Sequence, residues 1–379
     1  MYAFAVAPVY TGIKTLRFVM IGNYCRCFVF FLLFCSACIA EERQTILVTG
    51  GAGYIGTQTC KALVESGYFP VIFDNLSHGY KEAVKWGVLE VGDISDRKRL
   101  GEVIDKYHPA AVIHFAALKL VGESVEDPAK YYLNNVCGSI VMLDLLREKG
   151  VKKIIFSSSA TTYDSTTNDP ISEQRSQNAL NPYGRTKWMV EKVLNDFHDA
   201  YGFQYVIFRY FNVAGADLEG ECGERGDEPC NLIPIVLQVA DRRRQQLEIF
   251  GTDYATKDGS CIRDFVHVVD LADAHVRALD YLFLGNLSVS LNLGSGKGIS
   301  VKEIIDYARK VTSRSILATV AHRRIGDPSI LIAESRLAQT LLGWEPKYSD
   351  PKTIIETEWL WMQKLQENRL ANDVTDGSD

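Results

Sequence analysis

The chain has 379 residues, 47% of them apolar and 23% charged, which is enough for one large globular domain or two unequal ones around a packed core. Its formal net charge of −6 argues against a nucleic-acid-binding surface, so an anionic ligand would need a few local positive contacts. The nine cysteines show no metal-site or disulfide spacing, and the sequence predicts neither a zinc site nor a disulfide framework.

Residues 1–43 are predicted to form an N-terminal extension. Within it, the uncharged, mostly apolar run Cys27–Ala40 follows three basic residues and ends before two glutamates, which is typical of a secretory signal. The run is too short for a comfortable membrane span. Export or membrane anchoring is one interpretation. The other, which we favour, is a poorly ordered appendage or a start codon assigned too early on a cytoplasmic protein, because an apolar run is only a compositional signal.

From Thr45 onwards, short apolar strands alternate with amphipathic helices. The predicted strands are Thr45–Val48, Val71–Phe73, Leu89–Val91, Ala111–Phe115, Lys153–Ser157, Tyr205–Phe208 and Ser290–Leu293. The predicted helices between them include Thr57–Ser66, Lys98–Tyr107, Val136–Glu148 and Thr186–Tyr201. This alternation predicts an α/β fold with a doubly wound parallel sheet of the Rossmann type, in a cofactor-binding domain over residues 44–212.

The sequence changes character after residue 212. Gly215–Pro234 is rich in glycine and acidic residues and is predicted to be a loop. Helices are predicted near Ile235–Arg244, Val301–Val311 and Pro351–Gln366. We expect residues 213–370 to form mainly a smaller substrate-binding lobe, with late strands returning to the sheet, and residues 371–379 to form a tail. A ligand is expected between the lobes, beyond the carboxyl ends of the strands.

A glycine motif marks a candidate dinucleotide site. Gly50, Gly53 and Gly56 are spaced Gly-x-x-Gly-x-x-Gly directly after the first strand and before a helix. Glycines at this spacing allow a tight turn, close approach of a diphosphate and close packing of helix on strand. Asp74 ends the second strand, where a carboxylate binds ribose hydroxyls and repels a 2′-phosphate, so NAD is favoured over NADP. Asp93-Ile94 ends the third strand, where adenine is expected.

A tyrosine and a lysine provide the candidate catalytic groups. Tyr183 and Lys187 are spaced i, i+4 on one face of a predicted helix. A nearby ammonium would favour the tyrosinate, which is otherwise a poor base at a reference pKa of about 10. The run Ser157–Thr161 follows the fifth strand, and a hydroxyl there could bridge the tyrosine and a substrate.

Over residues 45–366 the sequence resembles the UDP-glucose 4-epimerases of the extended short-chain dehydrogenase/reductase superfamily. Besides the glycine turn and the serine cluster, the motifs that carry this resemblance are Phe115–Lys119, Val121–Ser124, Tyr132–Val136, Asn181–Lys187, Arg209–Asn212, Asn231–Pro234, Arg263–Val268 and Arg323–Pro328. The resemblance implies NAD as cofactor, a UDP-sugar as substrate and a homodimer, with no nucleic-acid partner and with membrane association through the extension not favoured.

The resemblance also implies roles for individual residues. Tyr183 is expected to be the base, Lys187 its electrostatic partner and Ser159 the hydroxyl beside the reacting carbon. The expected NAD contacts, besides Tyr183 and Lys187, are Gly50, Gly53, Tyr54, Ile55, Gly56, Asp74, Asn75, Asp93, Ile94, Phe115, Ala116, Lys119, Asn134 and Tyr210. The expected UDP-sugar contacts, besides Ser159 and Tyr183, are Asn212, Asn231, Leu232, Arg263, Arg324 and Asp327. The two arginines suit a diphosphate, because guanidinium groups match phosphate oxygens.

The activity implied is reversible 4-epimerisation of UDP-glucose and UDP-galactose, through transient oxidation at C4 by tightly bound NAD. Epimerases of UDP-N-acetylhexosamines or of UDP-xylose and UDP-arabinose are alternatives. A 4,6-dehydratase is less favoured, because Ala160-Thr161 stand where such enzymes typically carry an Asp-Glu pair. A protein that senses nucleotides without turnover would not need Ser159, Tyr183 and Lys187 together.

The sequence departs from the family pattern in three places. Thr162-Tyr163-Asp164 stands where the family often has valine and glycine around the tyrosine, and His78-Gly79 replaces residues that commonly assist cofactor binding. Leu331 occupies a position often held by a tyrosine or a smaller residue near the sugar. The sequence does not predict whether Leu331 admits N-acetyl sugars.

Overall fold

A seven-stranded parallel sheet forms the centre of the computed structural model, which describes residues 43–164, 168–226, 229–324 and 327–376. Its strands lie in the order β3-β2-β1-β4-β5-β6-β10, and every neighbouring pair is parallel. They are β1 (Thr45–Thr49), β2 (Phe69–Asp74), β3 (Val88–Val91), β4 (Ala111–His114), β5 (Lys153–Ser159), β6 (Gln204–Tyr210) and β10 (Val289–Leu293). All seven strands predicted from the sequence are present, and the predicted fold class is confirmed.

Helices cover both faces of the sheet, which explains why its strands are apolar on both sides. The helices are α1 (Tyr54–Glu65), α2 (Arg97–Tyr107), α3 (Val121–Glu126), α4 (Pro128–Tyr131), α5 (Gly138–Glu148), α6 (Pro182–Tyr201), α7 (Leu232–Ala240), α8 (Val268–Phe283), α9 (Val301–Thr312), α10 (Arg336–Leu342) and α11 (Pro351–Asp376). Apolar side chains of α1 and α8 pack on one face, and those of α2, α5 and α6 pack on the other. The strand order reverses between β1 and β4, and the crevice at their carboxyl ends is where such sheets bind ligands.

Smaller sheets follow β6 and support the second lobe. Their strands are β7 (Asn212–Ala214), β8 (Leu247–Phe250), β9 (Ile262–His267), β11 (Gly298–Ser300), β12 (Ala318–Ala321) and β13 (Ile330–Leu331). β9 pairs with β7, β11 and β13, and β8 pairs with β12. Helices α7, α9 and α11 share a separate apolar cluster there. Meanwhile β10 and α8 return to the main sheet. The boundary placed at residue 212 stays a prediction.

Local sequence signals place the helix that carries Tyr183. Asn181 is the N-cap of α6, its Oδ1 accepting a hydrogen bond from the backbone N–H of Gly184 at 2.8 Å, and Pro182 occupies the first turn. Gly202 ends the helix in the left-handed conformation, with φ of +73°. The helix starts four residues earlier than predicted, so Tyr183 and Lys187 both lie within it, near its N-terminus.

One segment between α4 and α5 has a wider turn than an α-helix. Residues Tyr132–Cys137 form a π-helical turn that includes the adjacent asparagines Asn134 and Asn135. The helix predicted over Val136–Glu148 therefore corresponds to the last two residues of this π-turn followed by α5. Single π-turns inside helices are frequent at functional sites.

The predicted N-terminal extension lies outside the described residues except for Arg43. At the other end, the helix predicted over Pro351–Gln366 continues to Asp376 as α11. Within the described ranges, no helix combines the length and the apolar character needed to cross a membrane.

Candidate active site

The glycine turn joins β1 to α1 at the carboxyl edge of the sheet. Gly50 has φ of +72°, and a Cβ there would lie 2.6 Å from the backbone N of Ala116, so the close approach of the turn to the end of β4 requires glycine. A Cβ on Gly56 would likewise lie 2.6 Å from the carbonyl oxygen of Gly50. Gly53 is the N-cap of α1 and has no side chain, and the first helical turn contains no acidic residue. The first turn of α1 therefore carries no acidic side chain of its own, and this geometry fits a dinucleotide diphosphate.

The first two residues of α1 tie the glycine turn to its surroundings. Tyr54 donates a hydrogen bond from its hydroxyl to the carbonyl oxygen of Gly215, which lies beyond β7. The neighbouring Ile55 packs against the apolar cluster beneath α1. The turn is thus tied to the first loop of the second lobe.

Asp74 lies beside the turn, at the end of β2, with only 7% of its surface exposed. Its Oδ2 accepts a hydrogen bond from the backbone N–H of Ala52 at 3.0 Å, and its Oδ1 accepts one from Leu76 at 2.9 Å. Burial raises the pKa of this carboxyl, while the two backbone N–H groups oppose the rise. Gly79 belongs to the His78-Gly79 pair that differs from the family pattern. A Cβ on Gly79 would lie 2.8 Å from Asp74 Oδ1, so a larger residue there would collide with the carboxylate.

The carboxyl ends of β2 and β3 bring the other predicted adenosine contacts together. The Asn75 amide donates from Nδ2 to Asp93 Oδ2 at 2.7 Å, and Asp93 Oδ1 accepts from the backbone and hydroxyl of Ser95. Ile94 is buried, with 5% exposed, and packs in the cluster under α2 and α5. These residues form a continuous edge with Asp74.

A variant at Asp74 tests the cofactor preference of this edge. We expect Asp74→Ala to narrow the preference for NAD over NADP, because the carboxylate that repels a 2′-phosphate is removed. Equilibrium binding of both dinucleotides to the purified variant measures the ratio of affinities. The control is Asp105→Ala. Asp105 is an exposed carboxylate on α2 that pairs with Lys149, the residue after α5. An unchanged NAD-to-NADP ratio for Asp74→Ala would contradict the ribose assignment.

The remaining predicted cofactor contacts follow β4, β6 and the π-turn. The backbone N–H groups of Phe115 and Ala116 both donate to the carbonyl oxygen of Thr49, which fixes the end of β4 against β1. Asn134 donates from Nδ2 to Asn135 Oδ1 at 2.8 Å. Tyr210 is 7% exposed, and its hydroxyl is hydrogen-bonded to the buried ring of His275 at 2.7 Å. Its polar end is therefore engaged with α8.

The three predicted catalytic side chains meet where β5 ends and α6 begins. Ser159 is the last residue of β5, and its hydroxyl oxygen accepts hydrogen bonds from the backbone and the hydroxyl of Thr161. Lys187 is 3% exposed; its Nζ donates to the carbonyl oxygen of Ser157 at 2.7 Å and lies 6.0 Å from the centre of the Tyr183 ring. Thus β5 and α6 place a phenol, a hydroxyl and an amine around one point.

Burial is the largest influence on the pKa of Tyr183 and of Lys187. Burial raises the pKa of Tyr183, and a hydrogen bond with Ser159 and the charge of Lys119 only partly oppose the rise. Burial also lowers the pKa of Lys187 to about 7, against the opposing charge of Glu191. The role of Lys187 as the electrostatic partner of Tyr183 stays a prediction. Ser159 and Lys119 are the two groups that lower the pKa of Tyr183 in this structure.

Four of the predicted UDP-sugar contacts, Asn212, Arg263, Arg324 and Asp327, are held by neighbours in the second lobe. Arg263 Nη2 donates to Asp327 Oδ1 at 2.5 Å, and the two form an ion pair that is mostly shielded from solvent. Asn212 donates from Nδ2 to the carbonyl oxygen of Asp264, the residue after Arg263. The Arg324 guanidinium lies over the ring of Phe250, 3.9 Å from its centre. Asp327 links the two arginines, since it pairs with Arg263 and its backbone N–H donates to the carbonyl oxygen of Arg324 at 3.2 Å. Guanidinium groups of this kind suit a diphosphate.

Asn231 and Leu232 are placed at the start of α7. Asn231 is the N-cap residue, but its side chain makes no capping hydrogen bond. Its Nδ2 donates instead to Glu224 Oε1 and Oε2, at 3.3 and 3.2 Å. Leu232 packs against the apolar cluster of the second lobe. Leu331, on β13, pairs in register with Arg263 and packs against a cluster that contains Ala160 and Tyr163. Leu331, which differs from the family pattern, therefore lies between the predicted catalytic residues and the predicted nucleotide-binding residues.

Sequence reasoning missed two residues that organise this site. Asn135 donates from Nδ2 to Thr186 Oγ1 at 3.1 Å and exchanges hydrogen bonds with the backbone of Leu118, so it ties the π-turn to α6. Glu191 accepts hydrogen bonds from the Ser158 hydroxyl and from two nitrogens of Arg209. The signal for Glu191 was in the sequence, since Tyr183, Lys187 and Glu191 follow an i, i+4, i+8 pattern on one helix face.

Comparison with known proteins agrees with this geometry. The model of the NAD dependent epimerase/dehydratase family matches residues 46–294, which include the glycine turn, Ser159, Tyr183 and Lys187. The chain belongs to this family. Its fold and its dependence on NAD follow from that membership, and both predictions are confirmed.

Individual members of the family are similar to this chain over most of its length. A UDP-glucose 4-epimerase of Rhizobium meliloti is 50% identical over 320 residues, which cover 84% of this chain and 97% of the relative. The crystal structure of UDP-glucose 4-epimerase from Brucella ovis in complex with NAD is 49% identical, with a TM-score of 0.82 over 83% of this chain and 97% of that one. The enzyme from Bifidobacterium longum, solved with NAD⁺ and UDP, is 36% identical, with a TM-score of 0.80 over 85% and 98% of the two chains.

Proposed function

We propose that this chain catalyses the reversible interconversion of UDP-glucose and UDP-galactose by inverting the configuration at C4 of the sugar. The observation that carries the proposal is the meeting of Tyr183, Ser159 and Lys187 beside the glycine turn, at the carboxyl edge of the sheet. Relatives up to 50% identical over almost their whole length bear the name UDP-glucose 4-epimerase, which supports the same substrates here.

In the proposed reaction, Tyr183 is the base that takes the proton of the sugar 4-hydroxyl and later returns it. The Ser159 hydroxyl, hydrogen-bonded to that phenol, orients it and can accept or donate within the same network. Lys187 is held by the carbonyl oxygen of Ser157, next to the phenol ring. NAD, when bound, supplies a hydride acceptor and donor for C4, so that no external oxidant is consumed.

Other residues would hold the nucleotide part of the substrate throughout the reaction. Arg263 and Arg324 present guanidinium groups suited to a diphosphate, and Asp327 keeps Arg263 in place. A firm hold on UDP would leave the sugar free to turn over and present its opposite face to the same base. Because different residues bind UDP and transfer the proton, one phenol could act in both directions of the reaction.

The residues around Ser159 support epimerisation over dehydration. Elimination across C5 and C6 needs an acid and a base, and the residues after Ser159 are Ala160, which is 2% exposed, and Thr161, whose hydroxyl is bonded to Ser159. Neither side chain is a carboxylate. A 4,6-dehydratase built on this chain would lack its proton-transfer pair at this position.

Incubation of the purified chain with UDP-galactose and NAD tests the proposal, with chromatography of the sugar released by mild acid hydrolysis as the measurement. Appearance of glucose supports it. A stable 4-keto-6-deoxy product would replace it with a dehydratase, and unchanged galactose would refute it. Parallel reactions with UDP-N-acetylgalactosamine and UDP-xylose define the substrate range, which the half-buried Leu331 between the two halves of the site helps to set.

We further propose that the chain is a homodimer and is located in the cytoplasm. The π-helical turn and helices α5 and α6 expose apolar side chains that a soluble monomer would leave in water, namely Leu133 on the turn, Ile140 on α5 and Met189 on α6. A face of this kind, shared by adjacent helices, suits an isologous contact. Light scattering of the purified protein measures the mass, and a monomer at micromolar concentration would refute the dimer.

A further inference from the structure

The carboxylate of Glu224 lies between the cofactor side and the substrate side of the cleft. Its Oε1 accepts a hydrogen bond from Lys119 Nζ at 2.9 Å and forms an ion pair with it. The same carboxylate accepts from Asn231 Nδ2 at 3.2–3.3 Å. Lys119 follows β4 in the first lobe, whereas Asn231 begins α7 in the second. A single side chain therefore connects a predicted NAD contact with a predicted UDP-sugar contact.

Glu224 is held firmly although it belongs to a glycine-rich loop. Its carbonyl oxygen accepts a hydrogen bond from the indole Nε1 of Trp361 at 2.8 Å, and Trp361 is 2% exposed on α11. The preceding Gly223 packs so tightly on this indole that a Cβ there would lie 2.4 Å from Trp361 Cδ1. The side chain of Glu224 is only 13% exposed. The loop is thus clamped by the last helix at the point where the carboxylate enters the cleft.

The ion pair of Glu224 also affects the catalytic phenol. The Lys119 charge is one of the two influences that lower the pKa of Tyr183, and the Glu224 charge in turn raises the pKa of Lys119. The Glu224 charge also contributes to raising the pKa of Tyr54 and of Glu358, although burial is the larger cause for both. Glu224 is thus the ion-pair partner of the lysine whose charge lowers the pKa of Tyr183.

We propose that Glu224 is a positioning residue, whose carboxylate holds the Lys119 ammonium and the Asn231 carboxamide in the relative places that the cofactor and the nucleotide sugar require. It touches neither reacting atoms nor the phenol and acts through its two partners. The inference deepens the proposed epimerase function and rests on it. It assigns a role to the segment 215–226, which follows β7 and contains Glu224.

Glu224→Gln tests the proposal, because it removes the charge and preserves the shape. We expect KM for UDP-galactose to rise about tenfold or more, in line with the loss of charge-assisted hydrogen bonds. The acid limb of the kcat–pH profile should move to lower pH, since an uncompensated Lys119 charge favours the tyrosinate. Glu221→Gln is the matched control: Glu221 lies in the same loop and pairs with Lys61 at 2.6 Å, away from Lys119 and Asn231.

A double-mutant cycle separates positioning from simple support of the fold. If Glu224 acts through Lys119, adding Glu224→Gln to the Lys119→Met variant should change its kcat–pH profile only slightly. Glu224→Asp keeps the negative charge on a shorter side chain and should return the kcat–pH profile towards that of the wild type. If Glu224→Gln folds poorly, the kcat–pH profile of Glu224→Asp is used to test the proposal instead. Wild-type KM and pH profile in a folded Glu224→Gln protein would overturn the proposal, as would equal effects of Glu221→Gln. Failure of the wild-type chain to convert UDP-galactose would instead overturn the proposed function.

Discussion

Replacing Tyr183 with phenylalanine should lower kcat for UDP-galactose by at least about a hundredfold, the low end of what general acid–base catalysis contributes. The ring would still fit between Lys187 and the end of β5, and only the proton-accepting oxygen would be lost. Initial rates of UDP-glucose formation at saturating substrate measure the effect. Since the phenol acts in its deprotonated form, wild-type kcat should increase with pH up to the pKa of Tyr183, and the variant should lose this dependence.

A second tyrosine on the same helix provides the control for this variant. Tyr201 lies in the last turn of α6, is 44% exposed, and has no contact with Ser159 or Lys187. Tyr201→Phe should therefore leave kcat and its pH dependence unchanged. Both variants should retain NAD after gel filtration, which shows that the cleft is intact. If Tyr183→Phe turned over at a near-normal rate, Tyr183 would no longer be the base.

Arg209→Met should lower the free energy of unfolding by about 3–5 kcal/mol, because it strands a buried carboxylate. The side chains of Arg209 and Glu191 are 6% and 3% exposed, and Nη2 of the arginine lies 2.7 Å from Oε2 of the glutamate. The other guanidinium nitrogen, Nη1, donates to the Tyr163 hydroxyl, which itself donates to Asn292. Urea denaturation followed by circular dichroism measures the loss.

The chain offers a surface counterpart for this ion pair. Arg97 pairs with Asp144 and Glu148 on α2 and α5, where all three side chains are 40–47% exposed. Arg97→Met should cost no more than about 1 kcal/mol. Combining Arg209→Met with Glu191→Leu should recover part of the stability, since an apolar pair leaves no charge buried alone. Equal losses for Arg97→Met and Arg209→Met would mean that burial of the pair contributes nothing.

The Rossmann half of the molecule could be predicted from the sequence because its signals are local. Strands such as β1 are short, β-branched and bounded by a glycine turn, and α6 begins with a proline after an asparagine cap. The order of strands then follows from the fold class. The predicted meeting of Ser159, Tyr183 and Lys187 needed only the rule that carboxyl ends of parallel strands form one edge.

The second half gave weaker signals. β11 and β13 have three and two residues, and each exists only through pairing with β9, whose partners are distant in sequence. Helix α8 was missed altogether. It is capped by His267, whose Nδ1 accepts from the backbone N–H of Val269, and histidine is not among the residues that mark helix starts in a sequence.

The protonation of the catalytic pair could not be predicted from spacing either. An i, i+4 pattern places Lys187 near Tyr183, but it does not reveal that β5, α6 and the neighbouring helices bury the amine and lower its pKa to about 7. Nor does it show that the charge of Lys119, 64 positions before Tyr183, lowers the pKa of Tyr183. Desolvation is a property of the assembled fold.

The wide turn at Tyr132–Cys137 restricts how this stretch can change over evolution. Each residue of a helix advances about 100° around the axis, so a one-residue deletion there would rotate all of α5 relative to α4. Buried Met142 would swing towards solvent, and the Asn135 amide would lose Thr186. Chains that keep this cleft should therefore tolerate substitutions between Pro128 and Glu148 more readily than any change in the length of that segment.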